Sequence, residues 1–244
     1  MKRLMLTASL ALLVGCTAPD TGRRAGAAGD LRVADAAMAS GLPQTALSMT
    51  RDILQTDPRN VGALLRQGAA LAAMGQTDAA EECYRRVVEI DPRSADGLRG
   101  LGRAALGAGD ARKAEAMFRQ AIEVTPGDAM ALNNLGIALD LQERHEEAQA
   151  SYHAALKQQP AMTAARVNLG LSLALGGAPD RAVEILRPLA SDPGADSKVR
   201  ENLAVALALA GEREAAGKVL AADMPQDTAS VALAGYAALK VPAK

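Results

Sequence analysis

Small apolar residues recur along this chain at a step of 34 residues, and larger apolar residues keep the same step. Alanine stands at Ala46, Ala80, Ala114, Ala148, Ala182 and Ala216. Glycine stands at Gly68, Gly102, Gly136 and Gly170, with Ala204 as the fifth member of that column. Tyr84, Phe118 and Tyr152 form an aromatic column, and Pro58, Pro92, Pro126 and Pro160 a proline column. Composition alone does not hold four residue types in one register. The pattern predicts pairs of helices: a small residue on the first helix where the second crosses it, an alanine that permits the same approach from the other side, and a proline that ends the second helix. Gly41, Gly75, Gly109, Gly177 and Gly211 keep register as turns within the pairs, with Glu143 where one such glycine is missing. Asp110 and Asp128 stand where helix N-caps are needed. The expected fold is all-α.

A period of 34 is that of the tetratricopeptide repeat, and Leu135-Gly136, Ala148, Tyr152 and Pro160 resemble its L-G-x2-Y, A-x3-F, P pattern in order. The resemblance implies a superhelix of about six helix-turn-helix repeats with a concave groove lined mainly by the first helix of each pair. The first repeat spans Ala27 to Asn60 with its helix starting near Asp30, and it deviates most, with Ala34 in the glycine column and Thr50 in the aromatic one. Repeats at 61–94, 95–128 and 129–162 are clear; a looser fifth covers 163–196 and a sixth runs from Ser197 to about Gln226. The stretch Asp227 to Lys240 carries Val231, Leu233, Ala234, Ala237 and Leu239 as an apolar stripe and is expected to be a final helix capping the open end of the solenoid. Residues 29–226 are thus the repeat domain and 227–244 the capping helix and tail.

The amino terminus follows other rules. Lys2 and Arg3 precede an apolar run from Leu4 to Val14, too short to span a bilayer as a mature helix and typical of a secretory signal over residues 1–15. The run ends in Leu13-Val14-Gly15-Cys16, which resembles a bacterial lipobox. That resemblance implies cleavage before Cys16 and lipidation of its thiol and new amino group. Two or three acyl chains anchor firmly, at about 0.8 kcal/mol per buried methylene. Residues 16–28, rich in Gly, Ala, Pro and Thr with Arg23-Arg24 among them, are expected to form a flexible tether. Gram-negative sorting rules disfavour inner-membrane retention when the residue after the cysteine is Thr17 and not aspartate, so the expected location is the outer membrane, lipid-anchored and facing the periplasm.

Hydrophobic residues make up 49% of the chain but aromatic ones only 2%, with no Trp, so the core must be built from Ala, Leu, Val and Gly. Such small side chains suit closely packed helices. The net charge of −1 becomes about −3 once Lys2 and Arg3 leave with the signal, which argues against nucleic-acid binding. With Cys16 lipidated, Cys83 remains alone, without an intrachain disulfide partner, and is read as a partly buried structural thiol. His145 and His153 lie eight apart, and His145-Glu146-Glu147-Ala148-Gln149 lacks the second histidine of a helical zinc site, so both are read as surface residues of one helix. Neither metal nor cofactor is expected, apart from the lipid on Cys16, and six repeats leave no room for an enzyme domain.

The remaining candidate is the groove. Asn134, Asn168 and Asn202 occupy the sixth position of repeats four to six, and Asn133 flanks the first of them. An amide both donates and accepts, so it can pair with the N–H and C=O of an extended peptide whatever its side chains. The arrangement resembles the asparagine ladder of the O-linked N-acetylglucosamine transferase repeats, and the same position contributes to carboxylate clamps in chaperone-adaptor repeats. Bonding to a neighbouring repeat's backbone is the alternative use of these amides. Arg66 and Gly100 take the position in repeats two and three, while Arg99 and Arg103, one turn apart, offer a cationic spot for an acidic or C-terminal group. At family level the lipobox, the repeats and the segment from Val199 to Gly211 followed by Ala221-Ala222-Asp223-Met224-Pro225 resemble the TadD lipoproteins of tight-adherence pilus assembly. That resemblance implies a pilotin-like accessory to an outer-membrane secretin. A general periplasmic scaffold for peptidoglycan enzymes or outer-membrane assembly factors is the alternative from another class.

Overall fold

The computed structural model describes the backbone of residues 21–237 and the side chains of residues 29–236. The expected signal segment, Cys16 and the first part of the tether lie outside the described residues, as does Leu239. Thirteen helices follow one another, with no strand among the described residues. The pairs are α1 (Thr21–Ala39) with α2 (Pro43–Thr56), α3 (Val61–Ala73) with α4 (Thr77–Ile90), α5 (Ala95–Gly107) with α6 (Ala111–Val124), and α7 (Ala129–Asp140) with α8 (His145–Gln158). Then come α9 (Thr163–Leu175) with α10 (Pro179–Ala190), α11 (Ser197–Leu209) with α12 (Arg213–Leu220), and the unpaired α13 (Gln226–Ala237).

The columns seen in the sequence are the packing devices of this array. Ala46, Ala80, Ala114, Ala148, Ala182 and Ala216 are all 0% exposed. A Cβ placed on Gly136 would overlap the Tyr152 ring, so the glycine is what lets α8 lie this close to α7. Thr50, in the aromatic column of the first repeat, is fully buried and its hydroxyl donates to the carbonyls of Ala46 and Leu47 at 3.0 Å, which removes the cost of burying it. Asp110 caps α6 through the Lys113 N–H at 2.9 Å, and Asp128 caps α7 through the N–H groups of Met130 and Ala131. The turn glycines have φ between 70° and 87°, and Glu143, in the fourth of the six turns, adopts φ 60°.

Each helix packs on its neighbours in sequence, and the first helices of successive pairs also touch one another, α1 with α3 and on through α11 with α13. The first helices therefore form the inner layer of a superhelix, and their free faces line its groove. Two details differ from the sequence reading. First, α1 begins at Thr21, nine residues ahead of Asp30, so residues 21–28 are helical where a tether was expected. Five of these eight residues, Arg23, Arg24, Ala25, Ala27 and Ala28, are strong helix formers. Second, Val231 is 74% exposed, and the face of α13 turned to the core carries Ala229, Ala232, Leu233 and Tyr236. The cause is α12, eight residues long where α4, α6 and α8 have fourteen, so α13 meets the solenoid out of the 34-residue register.

Candidate functional groove

The asparagines sit on α7, α9 and α11, as the register requires, but their bonds do not run along the 34-residue ladder. Asn168 Nδ2 donates to Asn133 Oδ1 at 2.9 Å, and Asn133 Nδ2 donates to Asn134 Oδ1 at 3.3 Å. Asn133 is only 5% exposed. It is the hub joining repeats four and five, and its burial withdraws it from direct contact with a ligand. Asn134, Asn168 and Asn202 are half-buried on the groove side. The relay leaves both amide hydrogens of Asn134 unused, together with the carbonyl and one hydrogen of Asn168. Among the described residues Asn202 makes no side-chain hydrogen bond. One side-chain bond, Asn168 to Asn133, joins repeats four and five.

The arginine pair divides. Arg99 is held between Asp96, at 2.5 Å, and Asp128, so its charge is compensated within the protein. Asp128, the N-cap of α7, lies 29 residues from it, and nothing in a 34-residue column marks that pairing. Arg103 is exposed and donates from Nη2 to the Tyr84 hydroxyl at 3.1 Å. Arg66 is held by Asp35 through two bonds of 2.6 and 2.7 Å. Leu65, Arg66, Ala69, Tyr84, Asp96, Arg99 and Arg103 line a concavity of about 200 Å³ in this half of the groove.

Two buried polar clusters escaped the sequence reading. His145, expected on the surface, has a side chain only 14% exposed, with Nδ1 at 2.8 Å from Asp140 Oδ1. Ser172 Oγ donates to the same oxygen at 2.7 Å and the Tyr152 hydroxyl to Asp140 Oδ2 at 2.8 Å, which pulls the imidazole in under the turn between α7 and α8. Burial and the adjacent Asp140 charge push the Tyr152 phenol well above its ordinary range. The residue types are those of a nucleophilic triad, but Ser172 is 0% exposed and its hydroxyl bonds Asp140 and the His145 backbone carbonyl, not the imidazole, so the geometry supports no nucleophile. The signal was available: Ser172 interrupts a column otherwise made of Ala70, Ala104, Ala138 and Ala206. In the second cluster, Glu115 accepts from Gln142 at 2.7 Å and from Arg144 at 2.8 Å, and also pairs with Arg119.

His153 is exposed, and among the described residues no three His, Cys, Asp or Glu side chains gather as a metal site. Cys83 is buried, its thiol pushed up by burial and 3.3 Å from Gln67 Oε1, an unreactive setting. Among the described residues no helix is long and apolar enough to cross a membrane.

Two family profiles, both described as tetratricopeptide repeat, match residues 37–104 and, in two stretches, 99–148 and 142–196. Together they cover more than half of the chain, which belongs to the tetratricopeptide-repeat family. Members of this family are generally non-catalytic scaffolds for protein–protein contacts. No curated protein sequence matches the chain. Among solved structures it is similar to TTC0263, a thermophilic tetratricopeptide protein of Thermus thermophilus, with 22% identity, a TM-score of 0.65, and coverage of 74% of this chain and 98% of that one. It is also similar to pilF of Pseudomonas aeruginosa, with 16% identity and a TM-score of 0.73 over 90% of this chain and 100% of that one. A third is a tetratricopeptide protein from Parabacteroides merdae, with 15% identity and a TM-score of 0.66 over 91% and 86%. At these identities the likeness is one of fold.

Proposed function

We propose that the protein is a non-catalytic, lipid-anchored scaffold of the outer membrane, and that the groove face of α7, α9 and α11 holds an extended segment of a protein partner. The observation that carries the groove reading is the asparagine relay. By bonding Asn133 inside, it orients Asn134 to offer donors and Asn168 to offer its carbonyl, the two functions that an extended backbone can answer without regard to side chains. The partner class is a secretin or another pilus-assembly component, making the protein a pilotin-like accessory. The lipobox Leu13 to Cys16 and the segments Val199 to Gly211 and Ala221 to Pro225 support this reading through their resemblance to the tight-adherence lipoproteins.

Photo-crosslinking from groove positions in intact cells, followed by mass spectrometry, tests the partner; recovery of peptidoglycan enzymes in place of a secretin overturns the pilus assignment. Each amide contact is worth about 0.5–1.5 kcal/mol net, so replacing Asn134, Asn168 and Asn202 together by alanine is expected to weaken partner binding by about 2–4 kcal/mol. That corresponds to roughly 30- to 1000-fold in affinity, with the melting temperature nearly unchanged. Undiminished binding would make the asparagines structural. The anchor has its own measurement: Cys16→Ser is expected to abolish incorporation of a fatty-acid analogue and leave the protein unprocessed or released, and label retained by the variant would refute lipidation at this residue.

A further inference from the structure

The first repeat lacks the neighbour that every later repeat has on its N-terminal side. Gly29, Val33 and Ala36 lie at helical spacing on α1, and the same three columns in later repeats press on the preceding pair. Gly97, in the Gly29 column, is so close to α4 that an added Cβ would overlap Val87 and crowd Val88; one on Gly29 would meet nothing within 4 Å. Leu101, in the Val33 column, packs with Tyr84 of α4 and is 8% exposed, whereas Val33 is 49% exposed. The Ala36 column holds Ala70, Ala104, Ala138, Ser172 and Ala206, all buried, and Ser172 bonds Asp140 and the His145 carbonyl of the repeat before it. Ala36 is exposed. Among the described helices α1 packs on α2 and α3 alone. This end of the solenoid therefore presents an interface stripe with nothing on it, where an end that faces water carries a polar outer face.

Chain length and charge point to what covers it. Cys16 stands five residues ahead of Thr21, the first residue of α1, so on the lipid-anchor reading this helix starts within about 18 Å of the anchored residue. α1 carries Arg23, Arg24 and Arg32 against Asp30 and Asp35, and Asp35 is engaged by Arg66 of α3. A helix with surplus positive charge is drawn to anionic head groups and repels a second copy of itself. The stripe is also modest, one valine between a glycine and an alanine, too little to join two free chains. At the high effective concentration that an acyl anchor imposes, a weak apolar contact suffices. We propose that the open face of α1 rests on the anionic phospholipid surface of the bilayer that anchors the chain. Arg32, exposed next to Val33, takes lipid phosphate, Val33 and Ala36 sit at the head-group boundary, and α13 lies at the other end of the array. The inference rests on lipidation at Cys16 and adds a noncovalent contact that fixes how the groove is presented.

The chain has no Trp, so a single introduced one reports its own surroundings. Val33→Trp and Val231→Trp, at exposed sites on α1 and α13, are prepared as the lipidated full chain and reconstituted in vesicles of phosphatidylethanolamine and phosphatidylglycerol. With brominated acyl chains in the vesicles, Val33→Trp is expected to shift to the blue and lose most of its emission, while Val231→Trp keeps its own. Adding Arg32→Glu to Val33→Trp should restore much of the emission without releasing the protein from the vesicles. Equal quenching at the two sites, or none in Val33→Trp, overturns the contact. Cross-linking of α1 to α1 of a second copy also overturns it and assigns the stripe to self-association. Flotation keeps the two readings apart: protein with Cys16 that fails to float with vesicles overturns anchor and contact together, whereas floating protein with unquenched Val33→Trp overturns the contact alone.

Discussion

At the residue scale, the turn between α7 and α8 shows how strongly position dictates conformation. Glu143 stands where five other turns have glycine, and it takes φ 60° with its side chain exposed. A left-handed conformation costs a non-glycine residue about 1–2 kcal/mol, while glycine brings about 0.5–1 kcal/mol of extra chain entropy to lose. Glu143→Gly should therefore stabilise the protein by a few tenths to about 1 kcal/mol. In a thermal melt this corresponds to a rise of about 1–4 °C for a chain of this size. A lower melting temperature would mean that Glu143 makes a contact outweighing its backbone strain.

At the scale of elements, the junction of α6, α7 and α8 is held by a buried carboxylate. Burial pushes the Glu115 carboxyl up, but the Gln142 amide and the guanidinium groups of Arg144 and Arg119 outweigh it and hold the carboxyl below its usual value. A carboxyl depressed in the folded state contributes stability that is complete above the ordinary unfolded value near 4.3 and is lost as pH falls through the lower folded value. Acid should therefore loosen this junction from about pH 4.3 downward. Hydrogen exchange of the amides of Gln142 to His145, corrected for intrinsic rates, should show protection falling with acidification, and a shallower fall in Glu115→Gln. Glu147, also held low by Arg144, accounts for the slope that remains. An identical slope in the two proteins would mean that Glu115 does not control the junction.

At the scale of the whole molecule, stability is a sum over neighbours. Helices touch their partners and the next pair, so damage to one repeat has no direct route to the far end. Ala148 is 0% exposed where α8 crosses its neighbours, and Ala148→Leu would overpack that crossing by roughly 1–3 kcal/mol. Loss of exchange protection is expected across repeats three to five, with α1 and α2 keeping theirs; an even loss along the chain would show a single cooperative unit. The same linear build puts arginines on α3 and α5 and asparagines on α7, α9 and α11.

What the amino-acid order determined by itself is whatever repeats. The helix pairs, the buried alanine column, the Asp110 and Asp128 caps and the positive φ of Glu143 follow from contacts closed within about one period, so one residue column states each of them. The groove column with Asn134, Asn168 and Asn202 was legible for the same reason. Tertiary structure alone decided how the side chains of adjoining repeats divide their bonds. Asn133 is an internal hub, Arg99 is captured by Asp128, His145 is drawn in beside Asp140, and the Tyr84 ring is buried against two glycines. Each depends on rotamers and on the angle at which one pair meets the next. Hydrophobic periodicity specifies which face of a helix is buried, but leaves open which polar atom across that junction it will meet.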